Sequence, residues 1–322
     1  MDKHYYEELY GDLYSDEDQR PRKKRKAKPS TAKALAEDTS TSGATKRKIS
    51  YQPARYEEGW LLDSLEPFFQ EHLITDVLSH VRGGKEASVY CCHADETTDA
   101  QLLAAKVYRP RQFRSLSNDA IYREGRQLLT AQGRAMLGER GRQAQRPDAR
   151  MMKAVAGKSA FGMEILHSSW LSYEFMFMER LYKAGAAVPK PYACGSNAVL
   201  MSFIGDEHMA APALNNVRLE PEEAQALFDD VMRTIELMLS EGYVHGDLSA
   251  YNILYWQGEI VLIDFPQVTD YEHNNHAHSI LKRDIQRVCD YFQRAGVACD
   301  PAELLADLWS RYSRNGGVQV DG

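Results

Sequence analysis

Residues 244–265, VHGDLSAYNILYWQGEIVLIDF, constrain the fold of this chain more than any other stretch. They hold two apolar runs, NILYW and EIVLIDF, which meet at Gln257-Gly258, a pair typical of a hairpin turn. The polar residues before the first run therefore form a loop that ends where the hairpin begins. Upstream, Pro221 opens a helical pattern and Gly242 closes it. This order predicts a helix, an exposed polar loop and a β-hairpin.

Three polar side chains of this stretch have the spacing of a phosphoryl-transfer site. Asp247 and Asn252 are five positions apart in the loop, and Asp264 ends the second hairpin strand. Phosphoryl transfer needs a carboxylate that accepts the proton of the attacking hydroxyl, and oxygen ligands for Mg²⁺ on the nucleotide phosphates. We therefore predict Asp247 as the base, and Asn252 and Asp264 as metal ligands. The alternative is that Asp247 and Asn252 only cap turns and that His245 packs locally.

The first half of the chain is rich in strand patterns. After a short helix that starts near Trp60, two alternating stretches join at Gly83-Gly84, and a third strand stops at Pro110. We predict an antiparallel meander, and two further short strands around the GSN turn at residues 195–197. Helices dominate the rest of the chain, including a last helix with Asp300 as its N-cap.

Lys106 lies in the third predicted strand among apolar neighbours. A kinase needs a cation on the nucleotide phosphates and a carboxylate that holds this cation. The helical pattern of residues 168–185 contains Glu174, so we predict a pair between Lys106 and Glu174. Glu164 and Glu179 are the other candidates for this partner.

The glycines of RGGKEASVY, residues 82–90, raise the question of a phosphate-binding loop. Ser79 and Glu86 stand where a Walker A loop needs glycine and Ser/Thr, so a P-loop NTPase is excluded. Two glycines and Ser88 would still present backbone N–H groups and a hydroxyl to phosphates. An ordinary hairpin turn is the alternative.

Charge is distributed unevenly along the 322 residues, whose formal net charge is -7. Residues 1–50 hold 12 Lys/Arg against 9 Asp/Glu, and residues 109–158 hold 12 against 4. The acidic excess lies in the remainder. This pattern suits basic segments that reach phosphate-rich partners while the acidic body stays soluble. The alternative is that both segments are only solvated charge runs, which is the more common explanation for the basic cluster of the tail.

These patterns predict an α+β protein with two lobes. We expect a disordered charged tail at 1–52, a strand-rich N-terminal lobe at 53–205 with a flexible basic insertion at 109–160, and a helical C-terminal lobe at 206–322. The five cysteines form no C-x-x-C pair and are expected to be reduced packing residues. Without a signal peptide or a membrane-length apolar run, we expect a soluble, cytoplasmic protein.

The motifs GKEASVY, AAKVY, MSFIG, HGDLSAYNILY, LIDFPQ and LKRDIQRVCDYF resemble, in this order, those of the RIO family of atypical protein kinases. The resemblance extends from about residue 60 to 295 and favours the first branch of the family or a bacterial relative of it. It implies a trimmed kinase fold that binds ATP with Mg²⁺, or Mn²⁺ in its place, between an antiparallel N-terminal lobe and a mainly helical C-terminal lobe.

The resemblance also assigns roles to single residues. It implies Asp247, Asp264 and Lys106 as catalytic residues, and Asn252 and Asp264 at the metal. Its implied nucleotide-binding set is Gly84, Lys85, Ser88, Val89, Lys106, Glu174, Ser202 and Ile204, with the last two at the adenine hinge. The chain departs from the family at Ala250 and Ser202, where glutamate is usual.

The family resemblance implies a serine/threonine kinase that transfers the γ-phosphoryl group of ATP to a protein hydroxyl or to its own Asp264. Relatives act in maturation of the small ribosomal subunit, so an ATPase switch that contacts ribosomal RNA through segments 20–28 and 109–158 is a further expectation. Two alternatives remain. One is a small-molecule phosphotransferase of the aminoglycoside or choline kinase type, and the other is an ATP-bound assembly factor without catalysis.

Overall fold

The computed structural model describes residues 47–54, 57–84, 86–109, 157 and 159–312. Strands come first, one long helix follows them, and a mainly helical part with short strands completes the chain. The predicted α+β class with an antiparallel N-terminal sheet is confirmed. The tail up to residue 46, Lys85 and nearly all of the basic insertion 109–160 lie outside the described residues.

The N-terminal lobe is one antiparallel sheet covered by a helix. Its elements are α1 (Glu58–Gln70), β1 (Ile74–Gly83), β2 (Ala87–Ala94), β3 (Leu102–Tyr108), β4 (Pro191–Cys194) and β5 (Ala198–Ser202). The strand order is β1-β2-β3-β5-β4, so the predicted meander and the later strand pair join in a single sheet. Leu61, Leu65 and Phe68 of α1 pack on one sheet face, on a core that includes Tyr90 and Ala105.

The N-terminal lobe begins before the predicted boundary at residue 53. The Tyr51 N–H donates to the Val77 carbonyl at 2.8 Å, and the Ser50 N–H donates to Asp76 Oδ1 at 2.8 Å. Arg47 stacks over the Phe69 ring at 4.4 Å. Residues 47–52 therefore belong to the lobe and not to a tail, because backbone bonds to β1 hold them in place.

The long helix α2 (Ala160–Lys183) starts eight residues before the helical stretch predicted at 168–185. Ser159 is the N-cap, and its hydroxyl accepts the Gly162 N–H at 3.1 Å. The other face of the sheet, with Tyr108 and Val199, packs against α2, where Leu171 is fully buried.

The C-terminal lobe is built on three helices, α3 (Pro221–Ser240), α4 (Ala277–Arg294) and α5 (Pro301–Tyr312). Between the first two lie the hairpin β7 (Ile253–Trp256) and β8 (Glu259–Leu262), and the short pair β6 (Tyr243–Val244) and β9 (Thr269–Asp270). The predicted helix, polar loop and hairpin are all present, in the predicted order. Among the described residues, none of the helices has the length and apolar character needed to cross a membrane.

The cap of α5 allows a test of the fold. Asp300 Oδ1 accepts the N–H groups of Ala302 at 2.8 Å and Glu303 at 3.1 Å. Asp300→Ala should lower the free energy of unfolding by about 1 kcal/mol, because these donors lose their acceptor. Asp300→Asn keeps an acceptor oxygen and should lose less in urea-induced unfolding. Equal losses in the two variants would contradict this role of Asp300.

Candidate active site

A buried lysine and two carboxylates join the N-terminal sheet, α2 and the end of the hairpin. Lys106 Nζ lies 2.6 Å from Glu174 Oε1 and 2.6 Å from Asp264 Oδ1. Glu174 is only 3% exposed, whereas the side chain of Asp264 is 42% exposed. The predicted pair of Lys106 and Glu174 is present.

Glu179, one of the two rival partners of Lys106, is not in this cluster. Glu179 pairs with Lys183 at 2.8 Å on the outer face of α2. The side chain of Glu164 lies outside the described residues. Lys106 therefore binds the carboxylate of α2 that faces the sheet.

Tyr108 completes this cluster, and the sequence analysis missed it. Its hydroxyl donates to Glu174 Oε2, the oxygen that Lys106 does not contact. Two positions along a strand lead back to the same face, so the strand period places Tyr108 beside Lys106. Burial and the Glu174 carboxylate raise the pKa of Tyr108 well above its usual value, so the tyrosine stays a neutral donor.

The charges of the cluster stabilise one another. Burial alone would lower the pKa of Lys106, but the carboxylates of Asp264 and Glu174 raise it well above its usual value. Burial opposes the ionised form of Asp264, but the Lys106 ammonium lowers the pKa of Asp264 below its usual range. The ammonium and the Asp264 carboxylate are therefore both charged at neutral pH.

The hairpin register brings Asn252 next to Asp264. Ile253 pairs with Leu262 in the β7–β8 ladder, and beyond this pair the Ile263 N–H donates to the Asn252 carbonyl at 2.9 Å. Asp264 is the next residue, and its φ of 73° lies in the left-handed region, which a residue with a side chain seldom adopts. Strained backbone of this kind concentrates at functional sites.

The polar loop before β7 holds Asp247 and Asn252 close together. Asn252 Nδ2 donates to the Asp247 carbonyl at 2.9 Å and lies 3.5 Å from Asp247 Oδ2. With its nitrogen occupied in this way, Asn252 offers its amide oxygen as a ligand. One amide oxygen beside the carboxylate of Asp264 is a donor set that suits the hard cation Mg²⁺.

His245 has a structural role in this loop. Its Nδ1 accepts the Asp247 N–H at 3.3 Å, so the proton is on Nε2, which lies 3.2 Å from the Ile263 carbonyl. Burial lowers the pKa of His245, and the nearby carboxylates of Asp264 and Asp247 offset only part of this effect. The neutral ring therefore bridges the backbone at Asp247 to the backbone next to Asp264.

Helix α4 anchors the loop at Gly246. The Gly246 N–H donates to Asp284 Oδ2 at 2.8 Å, and Arg283 donates to the Gly246 carbonyl. Burial raises the pKa of Asp284 to about 7, against the opposing effects of Arg283 and the backbone N–H groups of the loop. The sequence analysis missed Asp284, although a charged residue between Leu281 and Val288 on the buried face of the helix marks a specific partner.

The same helix reaches the predicted base directly. Arg287 Nη1 lies 2.8 Å from Asp247 Oδ1, and both side chains are partly exposed. Arg287 is three positions after Asp284, so the two residues lie on adjacent turns on one side of α4. The sequence analysis missed this ion pair as well.

The residues of the predicted phosphate loop do not all face the lysine cluster. Val89 pairs with Lys106, and Ser88 pairs with Val107, so Ser88 lies on the opposite sheet face to Lys106. The Ser88 side chain is buried on the face that α1 covers, next to Tyr90. The structure does not bring the Ser88 hydroxyl into the lysine cluster. The Gly84 N–H donates to the Ala87 carbonyl at 2.8 Å in a tight turn, and Lys85 lies outside the described residues.

The predicted hinge residues lie at the end of β5 and just after it. Ser202 ends β5, where its N–H and hydroxyl bond to the backbone of Lys190. The Ile204 carbonyl accepts the Ala211 N–H at 2.9 Å. A surface depression of about 720 Å³ borders Phe203, between these two residues, and is also lined by Cys91 of β2.

The two lobes also touch at the rim of the site. Arg82 Nη1, at the end of β1, donates to the Tyr251 carbonyl at 3.4 Å. The positive charge of Arg82 contributes to the lowered pKa of Asp264. The site therefore combines one ammonium with the buried carboxylate of Glu174, the partly exposed carboxylate of Asp264 beside an amide oxygen, and a third carboxylate, Asp247, in the loop. This arrangement suits a divalent cation, a polyphosphate and an attacking hydroxyl.

Residues 142–304, just over half of the chain, match the protein-family model described as the RIO domain. The chain is 38% identical over 137 residues to the RIO-type serine/threonine-protein kinase Rio1 of Haloferax volcanii, with 42% of this chain and 46% of that protein covered. It is 29% identical over 227 residues to the human serine/threonine-protein kinase RIO1, with 70% and 35% covered. The match thus spans less than half the length of either relative.

Two solved structures have a similar fold. The Rio2 kinase-ADP/Mg²⁺-phosphoaspartate complex from Chaetomium thermophilum has a TM-score of 0.52 at 21% identity and covers 83% of this chain and 72% of its own. The Rio2 kinase from the same organism has a TM-score of 0.50 at 22% identity and covers 81% and 72%. At these identities the likeness shows the fold, a two-lobed kinase-like architecture.

Two glycines with positive φ provide a matched test of the loop. A Cβ on Gly246 would lie 2.2 Å from the Gln267 carbonyl oxygen, whereas a Cβ on Gly242 would meet nothing within 4 Å. Their φ angles are similar, 88° and 92°. Gly242→Ala should lower the free energy of unfolding by about 1–2 kcal/mol. Gly246→Ala should lower it clearly more, because the backbone has to move apart. Equal losses in urea-induced unfolding would contradict this close approach.

The neutral state of His245 predicts a pH dependence of stability. A histidine in the unfolded chain takes up a proton at pH about 6.5, whereas burial lowers the pKa of native His245. At His245 the unfolded state therefore binds the additional proton below pH about 6.5, so this residue contributes a decrease in the free energy of unfolding as the pH falls. The contribution of Asp284, whose pKa is raised to about 7, has the opposite sign. His245→Asn cannot titrate and removes only the His245 contribution, so between roughly pH 5 and 7 its free energy of unfolding should fall less, or rise more, with decreasing pH than that of the wild-type protein. Identical slopes in the two proteins would refute a neutral, buried His245.

Proposed function

This chain belongs to the RIO family, and on that premise we propose that it is an ATP-dependent atypical serine/threonine protein kinase. It transfers the γ-phosphoryl group of Mg-ATP to a protein hydroxyl. The observation that carries the proposal is the ion pair network of Lys106 with Glu174 and Asp264. This network joins three elements that are far apart in the sequence at one point between the lobes.

Each residue of the network has a part in the proposed reaction. Lys106 is held in place by Glu174, which in turn accepts the Tyr108 hydroxyl, and Lys106 contacts the nucleotide phosphates. Asn252 and Asp264 would hold the Mg²⁺ ion, which supplies charge neutralisation at the phosphates when it is bound. Asp247 orients the acceptor hydroxyl and takes its proton. Gly84 and Val89 lie along the phosphates, and the backbone at Ser202 and Ile204 binds the adenine edge.

A second acceptor is part of the proposal. One solved structure of a relative is described as an ADP/Mg²⁺-phosphoaspartate complex. Asp264 of this chain combines an exposed carboxylate with a contact to the Lys106 ammonium. We therefore propose that Asp264 also accepts the phosphoryl group, and that hydrolysis of this aspartyl phosphate makes the protein an ATPase switch.

We also propose a biological setting for this activity. The family resemblance suggests maturation of the small ribosomal subunit, and segments 20–28 and 109–158 carry the basic charge that contact with ribosomal RNA requires. Segment 20–28 and nearly all of segment 109–158 lie outside the described residues.

Replacement of the base tests the proposed activity. Asp247→Ala should lower phosphoryl transfer from γ-labelled ATP to a general acceptor such as casein by on the order of 10³-fold, because proton acceptance and acceptor positioning are lost together. Asp230→Ala, at an exposed ion pair of α3, is the matched control and should keep the wild-type rate. A rate in Asp247→Ala equal to that of the control would refute the assignment.

The same assay separates the two alternatives. A panel of amino-alcohols and aminoglycosides tests for a small-molecule phosphotransferase, and a fast, saturable acceptor among them would replace the protein kinase. Nucleotide binding without any turnover in the wild-type protein would favour an assembly factor that uses ATP only as a ligand.

A further inference from the structure

We propose that Arg287 is a positioning residue that holds the Asp247 carboxylate by one oxygen, Oδ1, and leaves the other, Oδ2, to accept the proton of the phosphoacceptor. This inference rests on the proposed kinase function and deepens it. Neither the family match nor the motifs of the sequence analysis assign a role to Arg287.

The contact geometry distinguishes the two oxygens of Asp247. Arg287 Nη1 lies 2.8 Å from Oδ1, a short charge-assisted hydrogen bond. Among the described residues, the only other side-chain nitrogen within hydrogen-bond distance of the carboxylate is Asn252 Nδ2, 3.5 Å from Oδ2. This nitrogen makes its shorter bond, of 2.9 Å, to the Asp247 carbonyl. Oδ2 therefore has the weaker contact and keeps lone pairs for an incoming hydroxyl.

Helix α4 holds the backbone of Arg287 in a fixed position. Its buried residues Ile285 and Val288 are no more than 1% exposed, so the helix is anchored in the core around Arg287. Asp284 of the same helix binds the Gly246 N–H, one residue before Asp247. The helix thus fixes the loop backbone through Asp284 and the reacting side chain through Arg287. Because both the backbone next to Asp247 and its side chain are held, the Asp247 carboxylate keeps its orientation when an acceptor binds.

A purely structural salt bridge would behave differently. The side chains of Arg287 and Asp247 are 28% and 39% exposed, and ion pairs with such exposure contribute little to stability. A misplaced catalytic group, in contrast, costs as much as about 100-fold in rate. Loss of Arg287 should therefore change the rate far more than the stability.

Three variants of α4 test this inference in the full-length protein. Arg287→Gln should lower kcat for phosphoryl transfer by roughly 10–100-fold and leave KM for ATP unchanged, because the loss concerns the acceptor side. Arg287→Lys keeps a cation and should recover part of kcat. Arg294→Gln, an exposed position in the last turn of α4, is the control. Thermal unfolding of all three variants should occur close to the wild-type temperature.

A double-mutant cycle identifies Asp247 as the group through which Arg287 acts. In the Asp247→Ala background, the further change Arg287→Gln should have no effect on the residual rate, because no carboxylate remains to be positioned. Independent losses that multiply would overturn the inference, and so would a kcat for Arg287→Gln equal to or above that of Arg294→Gln. A wild-type protein without phosphoryl transfer would refute the proposed function itself. Failure of the Arg287 inference is a different outcome, because it would appear only in the rates of the variants relative to an active wild-type protein.

Discussion

The ammonium of Lys106 lies between two carboxylates, and the rest of the structure depends on this contact. A buried lysine without partners would lose its proton, because desolvation opposes the charge. Glu174 and Asp264 reverse this effect and raise the pKa of Lys106. The contact also joins β3, α2 and the end of the β7–β8 hairpin, so the sheet of the first lobe and the loop of the second meet at one charged point. The exposed carboxylate of Asp264 leaves this point open to a ligand.

Helix α4 likewise holds the polar loop that contains Asp247. It contributes no residue to the lysine cluster, yet it binds both the backbone of Gly246 and the side chain of Asp247. Two backbone positions near this support are unusual. Gly246 has a positive φ and lies against the Gln267 carbonyl, and Asp264 has a positive φ without being glycine. Asp284 accepts the Gly246 N–H, and His245 bonds to the backbone of Asp247 and Ile263, the residues next to Gly246 and Asp264.

Much of the fold could be predicted because it depends on local pattern. Strand alternation, the Gln257-Gly258 turn and the Asp300 cap each act within a few residues, so the meander, hairpin and helix order were predicted correctly. The start of α2 was predicted too late, because its N-cap, Ser159, lies in the segment 109–160 that was predicted to be a flexible insertion. Ser88 shows a different limit. Its motif indicated phosphate, but the strand register turned its side chain to the face opposite Lys106.

The sequence by itself determined the residue types of the site, the order of the elements and the pairing of Lys106 with a glutamate of the following helix. Spacing along the chain carries this information, since strand and helix periods fix which residues share a face. Only the tertiary structure decided that Tyr108 shares Glu174, that Asp284 anchors Gly246 and that Arg287 holds Asp247. These contacts join residues up to 66 positions apart. Their geometry depends on how the helices pack against the loop and the sheet, which no local period encodes.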